Sequence, residues 1–284
     1  MGNKRDSLGD RMKEFYENRS KTYLTRKSFV ITRFDGKCFH SLCKNFKKPY
    51  DEIFHNAMNE TMKYLCENIQ GCKLGYTQSD EITLILTDTD TLTTDAWFDY
   101  SVQKMCSIGA SMATFAFNRA LARLVDEYYN IVWDDMLEDW RGTDEEVAYY
   151  KKLLKAVEKG GMFDCRCFNI PQEEVVNCLI WRQGDATRNA IQMFGQCHFS
   201  HKELQKKSNS DIQEMLFTQK GINFNDMPTE FKRGICCVKE IIQNPNVDIK
   251  DGAYPRAKWI LDKEIPIFTQ DREYIEKRFR KVAD

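Results

Sequence analysis

Apolar residues recur along this chain with two different periods, and the switches between them mark out a folding unit. Residues 28–36, SFVITRFDG, form a β-rich apolar run closed by a glycine, which predicts a strand entering a loop. A basic stretch, KCFHSLCKNFKKPYD, follows. From Asp51 onward Ile53, Phe54, Met58, Met62 and Leu65 fall on one face at helical spacing, with Gly71 as the stop. KLGYTQSDEITLILTD then carries two short β-rich stretches around Gln78-Ser79-Asp80, the pattern of a hairpin with acids in its turn. A long segment follows in which Trp97, Ser101, Met105, Ile108, Met112 and Phe115 are spaced for helix packing. After an acidic, Trp-containing stretch and a charged segment, FDCRCFNIP predicts another strand. The order β-α-β-β-α-β predicts an α+β fold with a split βαβ, ferredoxin-like sheet over residues 1–170. Residues 171–284 are expected to form a C-terminal α/β extension packed on it. That order occurs in many unrelated proteins and does not by itself specify a function.

Composition removes some classes. The 284 residues are 42% hydrophobic and 30% charged, as expected for a packed globular protein with little disorder. The formal net charge of −1 means that any phosphate-binding surface must be local. Eleven cysteines include no Cys-x-x-Cys pair, so reduced, buried thiols in a cytoplasmic protein are expected in preference to a zinc site. The N-terminal MGNKRDSLGD lacks an apolar signal region, and Asp6 stands where a myristoylation motif requires Ser or Thr. No apolar run approaches the ~20 residues of a membrane span.

Four groups of residues can carry chemistry. Asp35 and Gly36 close the first strand, where a carboxylate and an approachable carbonyl suit a hard cation; an ordinary Asp-Gly turn is the plain alternative. Ser79, Asp80 and Glu81 lie in the hairpin turn, which the strand order brings beside Asp35, so acids from both could share two Mg²⁺ ions. The basic loop with Lys37, His40, Lys44, Lys47 and Lys48 suits a triphosphate, and equally a solvated charge run. Lys104, on the second helix, could lean toward the same phosphates. Within WRQGDATRN the residues Arg182, Gln183, Arg188 and Asn189 could meet RNA, or Trp181 could pack inward while Arg182 and Asp185 pair on the surface.

Together RFDGKCFH, KKP-Y-D, QSDE and WRQGDA resemble the tRNA-histidine guanylyltransferase superfamily, the 3′–5′ polymerases, from LGDRMKEFYE to about FKRGICC. The resemblance implies a polymerase-type palm that commonly assembles as a homotetramer. It implies Mg²⁺ at Asp35, the Gly36 carbonyl and Asp80, with Glu81 as an accessory catalytic acid. Nucleotide contacts are implied at Asp35, Gly36, Lys37, Cys38, Phe39, His40, Ser79 and Asp80, and triphosphate handling at Lys48, Asp51 and Lys104. The implied chemistry activates an RNA 5′-monophosphate with ATP or GTP; the 3′-hydroxyl of an incoming nucleotide then attacks, and the activating nucleotide leaves as its monophosphate.

The enzymes dedicated to histidine tRNA carry a His-Ile-Asn-Asn type motif where this chain reads Ala186-Thr187-Arg188-Asn189. The chain therefore resembles the guanylyltransferase-like branch, which repairs 5′-truncated tRNA under template direction. A dedicated tRNA-histidine guanylyltransferase and a noncatalytic RNA-binding module of the same fold are the alternatives. A diguanylate-type cyclase would carry a GG-[DE]-EF turn, which is absent.

Overall fold

The computed structural model describes residues 7–134, 139–242 and 256–279. The terminus on which the lipid-anchor reading rests, residues 1–6, lies outside them, as does part of the acidic stretch after residue 134. Among the described residues the strands are β1 (Phe29–Gly36), β2 (Cys72–Gln78), β3 (Glu81–Thr87), β4 (Trp133–Asp134), β5 (Asp139–Trp140), β6 (Phe163–Ile170), β7 (Ile235–Ile242) and β8 (Arg256–Asp262). The longer helices are α1 (Ser7–Phe15), α3 (Glu52–Asn68), α4 (Val102–Val132), α5 (Asp144–Lys159), α6 (Gln172–His198) and α8 (Asn209–Lys220). Single turns form α2 (Phe39–Leu42), α7 (His201–Leu204), α9 (Thr229–Arg233) and α10 (Glu273–Glu276).

The main sheet runs β6-β1-β3-β2-β7-β8 with every neighbouring pair antiparallel. Its first four members reproduce the expected β-α-β-β-α-β palm. Past residue 170, β7 pairs with β2 and β8 with β7, so the C-terminal portion extends the same sheet. Paired strands far apart in sequence leave no local signal, so this continuity was not readable from periodicity.

The central strands read as apolar runs because both faces are covered. On one face Val30, Phe34, Ile82 and Leu84 pack with Met58, Met62 and Leu65 of α3 and Met105 and Phe117 of α4. On the other, Phe29, Ile31, Tyr76 and Ile85 pack with Val175 and Leu179 of α6 and with Phe268. The charged segment before β6 is helical: Thr143 and Glu146 cap each other reciprocally and start α5. All eleven cysteines are free thiols, although Cys38 and Cys197 are exposed where burial was expected. Among the described residues no helix is long and apolar enough to cross a membrane.

Candidate active site

Two turns meet at one end of the central strands. β1 ends at Asp35-Gly36, and the β2–β3 hairpin turns through Ser79-Asp80, with Ser79 in the left-handed region at φ 50°. The Gly36 N–H donates to the Asp80 carbonyl at 3.0 Å, which ties the two turns together. Thr77 Oγ1 closes the hairpin by donating to the Glu81 carbonyl at 2.9 Å. Gly36 is required here for space: a Cβ would stand 2.6 Å from the Phe39 ring.

The electrostatics of this end suit a cation. Burial, and then the like charge of Asp35, push the Asp80 carboxyl above the usual carboxylate range, partly offset by local hydrogen bonds including Ser79 Oγ at 3.2 Å. Among the described residues no group of three or more His, Cys, Asp or Glu side chains converges tightly enough to hold a metal alone. Two carboxylates and a backbone carbonyl still fit Mg²⁺, which takes few protein ligands and completes its shell with water and substrate phosphates.

A cavity of about 370 Å³ opens beside Asp80. The basic loop forms one wall, with His40, Phe46 and Lys48; the opposite wall comes from α6, with Ala186, Asn189 and Phe194, and from Phe231 of α9. Tyr50 stacks on Phe231 with centroids 3.6 Å apart and planes 4° from parallel. Burial pushes the Cys43 thiol up to about 12, helped by the charges of Asp80 and Asp51, so this wall residue offers no thiolate nucleophile. An apolar, aromatic-lined cleft with acids and lysines at its mouth can take a base on its walls and phosphates at its rim.

The structure brings Asp35, Gly36, Ser79, Asp80, His40 and Lys48 together, with Lys37 exposed on the adjoining turn, its N–H bound to the Met162 carbonyl at 2.8 Å. Cys38 is the left-handed residue that starts α2, and Phe39 is a buried member of an aromatic cluster with Phe54, Phe117 and Phe163. Asp51 is 4% exposed and committed to structure: it caps α3 through Phe54 N at 3.0 Å, accepts from Lys47 N at 2.9 Å, and accepts from the Tyr149 hydroxyl.

Lys104, Arg182 and Gln183 make their described contacts elsewhere. No described contact joins the Lys104 side chain to the acids. Thr114 Oγ1 accepts from the N–H of Phe163, the strand partner of Gly36, and Lys104 lies ten residues earlier on α4, about 15 Å along the axis. Its ammonium stands 6.0 Å from the Phe98 ring centre. Arg182 and Gln183 are buried, so neither presents itself to RNA. Arg182 forks onto Glu81 at 2.6 and 2.8 Å and also holds Asp185; Gln183 is spent on the backbone of Pro266 and Phe268. Glu81 is correspondingly 9% exposed and engaged. Arg188 and Asn189 are exposed, Arg188 paired with Asp185. Trp181, offered as a core residue in one reading, is 51% exposed.

Sequence reasoning missed Arg166, which pairs with Asp164 at 2.8 Å and lies 3.9 Å from Asp35. Its place opposite Arg33 in the β1–β6 ladder was open to inspection once the two strands were paired. The α6 and α9 wall had no local signal.

Residues 9–171 match the family model for tRNAHis guanylyltransferase. The chain belongs to this family of nucleotidyltransferases. A bacterial tRNA(His) guanylyltransferase-like protein solved in complex with ATP is 38% identical, with a TM-score of 0.75 over 96% of this chain and 99% of its own. A structure of such a bacterial protein in complex with GTP is 37% identical, with a TM-score of 0.73. The tRNA(His) guanylyltransferase of Saccharomyces cerevisiae is 26% identical over 220 residues, 72% of this chain and 80% of the relative. The uncharacterized protein R259 of Acanthamoeba polyphaga mimivirus is 27% identical over 253 residues, 85% of this chain and 80% of the relative. The structural likeness thus continues well past residue 171, in keeping with the unbroken sheet.

Proposed function

We propose that this protein adds nucleotides in the 3′–5′ direction to the 5′ end of truncated tRNA, directed by the opposing strand and passing through 5′-adenylated RNA. The observation that carries the proposal is that Asp80, which lines a nucleotide-sized cavity, is tied through Gly36 to the end of β1 where Asp35 stands. The acids need a cation, and the cavity supplies the place from which a triphosphate would bring its phosphates to them. The likeness to bacterial relatives solved with ATP and with GTP supports the same reading.

Both steps are in-line phosphoryl transfers. The RNA 5′-phosphate attacks the α-phosphorus of ATP and pyrophosphate leaves; the 3′-hydroxyl of the incoming nucleotide then attacks the adenylated 5′-phosphorus and AMP leaves. GTP can replace ATP in the first step, in which case GMP leaves. Asp35, the Gly36 carbonyl and Asp80 would hold two Mg²⁺ ions, which when bound neutralise phosphate charge and favour ionisation of the attacking oxygen. His40 and Lys48 bind phosphate oxygens from the loop side. The cavity walls orient the nucleotide, so positioning and charge neutralisation suffice without a side-chain nucleophile. Arg188 and Asn189, on the exposed rim of α6, contact the RNA, and the working form is a homotetramer.

Lys48→Ala is expected to slow reaction of 5′-monophosphorylated RNA at least about tenfold, with a smaller effect on RNA already carrying a 5′-triphosphate, because activation is bypassed there. Single-turnover rates on the two substrates measure this; equal losses would assign Lys48 to general binding.

Template direction is favoured over a dedicated histidine-tRNA role by the segment Ala186–Asn189. Thr187 Oγ1 donates inward to the Lys232 carbonyl at 3.0 Å, and Ala186 lines the cavity, so neither is offered as a base-reading contact. Incubating two unrelated 5′-truncated, monophosphorylated tRNAs with ATP, Mg²⁺ and four nucleoside triphosphates should yield added residues that follow the opposing nucleotide when it is changed. Addition of G regardless of template, or activity on histidine tRNA alone, would select the dedicated guanylyltransferase.

A further inference from the structure

Glu81 is immediately C-terminal to Asp80 and directly opposite Asp35 in the β1–β3 register, the position from which a third carboxylate would join the two acids. Its side chain is otherwise occupied. Arg182 Nε donates to Oε1 at 2.6 Å and Nη2 to Oε2 at 2.8 Å, a two-bond fork between residues 101 apart. Thr83 Oγ1 adds a longer contact to Oε1 at 3.4 Å, and Arg33 Nε stands 3.9 Å from Oε2. The guanidinium is itself fixed, with Asp185 on Nη1 and the Trp181 ring centre 4.6 Å away. Both partners are at least nine-tenths buried, so neither is a solvated surface ion.

The mechanical consequence concerns the turn between them. The Asp80 carbonyl accepts from the Gly36 N–H, and Glu81, the residue that follows, accepts on its carbonyl from the Thr77 hydroxyl and is pinned through its side chain by Arg182 of α6. Alpha-helix 6 also supplies one wall of the nucleotide cavity. The fork therefore sets the acidic turn and the cavity wall at a fixed distance from each other. A planar, two-point donor does this where a point charge cannot.

We propose that Arg182 is a positioning residue for nucleotide addition, acting through Glu81, and that Glu81 serves as its buried counterion instead of as a catalytic acid. An uncompensated charge at either position would disturb the turn, whereas removing both charges together leaves apolar packing that the site tolerates. The inference rests on the nucleotide-addition reading for its activity readout.

The test is a double-mutant cycle on the full chain, with melting temperature measured for every protein. Arg182→Met and Glu81→Leu are each expected to lower kcat on 5′-triphosphorylated RNA about 100-fold, the scale of an ångström-sized misplacement, with little change in KM for the incoming nucleotide. The Arg182→Met/Glu81→Leu protein should recover to within about tenfold of wild type. Arg182→Lys keeps the charge and loses the fork, so it should lose about 10- to 100-fold in kcat while melting like wild type. A folded double variant as inactive as Glu81→Leu alone would show that Glu81 touches the reacting groups, and would overturn the proposal. Wild-type kcat in Arg182→Lys would overturn it too, and decides the matter if the double variant does not fold. A wild-type protein that adds no nucleotide to any RNA would instead defeat the underlying functional reading.

Discussion

Replacing Asp80 by alanine is expected to abolish nucleotide addition while leaving the protein folded. The carboxylate is partly buried, burial and the neighbouring Asp35 both disfavour its charge, and local hydrogen bonds and His40 offset this only in part. Such a group is unfavourable to the free protein and useful only when a cation and phosphates arrive. Removing it should cost on the order of 10³-fold or more in kcat, at least the effect of deleting one preorganised charge-stabilising group. The melting temperature should stay level or rise slightly, since a like-charge contact with Asp35 disappears. Asp35→Ala should lose activity on the same scale, with Arg166 then left to Asp164 alone. Single-turnover rates with 5′-triphosphorylated RNA, alongside thermal melts, measure both effects. Addition at a tenth of the wild-type rate by either variant would remove that residue from the reacting centre.

Part of this site was legible because its signals are local. The acids terminate apolar runs, and a hairpin with a two-residue turn puts Asp80 where the strand order puts Asp35. The periodicity of α3 likewise followed from its buried face, Met58, Met62 and Leu65. What sequence patterns misplaced were polar residues whose partners lie far away. Arg182, Gln183 and Asp51 look like solvent-facing binding groups in a linear reading, yet each also has a partner far along the chain, at 101, 83 or 85, and 98 residues respectively. Burial of a polar side chain is a property of the pair, so one member alone does not disclose it. Lys104 is ambiguous for a different reason. An exposed lysine on a 31-residue helix carries no mark of which turn approaches the site, and here the turns near Thr114 do so.

The hydrogen bonds of Asp51 lead to the largest expected effect on stability. One of its oxygens accepts from Phe54 N and caps α3; the other accepts from both Lys47 N and the Tyr149 hydroxyl. The residue thereby anchors the end of the basic loop, the start of α3 and the middle of α5 to one another. Asp51→Ala removes a cap, for which about 1 kcal/mol is typical, and strands two donors at about 1 to 3 kcal/mol each. A loss of about 3 to 7 kcal/mol is a large share of the 5 to 15 kcal/mol that typically separates folded from unfolded domains. Asp51→Asn sharpens the assignment. Its amide can present an oxygen to Phe54 N or to the Lys47 and Tyr149 donors, but not to both, so it should lose an intermediate amount. Tyr149→Phe should lose less than either, because the carboxylate keeps its two backbone donors. Urea denaturation of the four proteins gives this order directly. If Asp51→Ala unfolds at the wild-type urea concentration while the KM for nucleotide rises sharply, Asp51 is a nucleotide ligand and the clamp assignment fails.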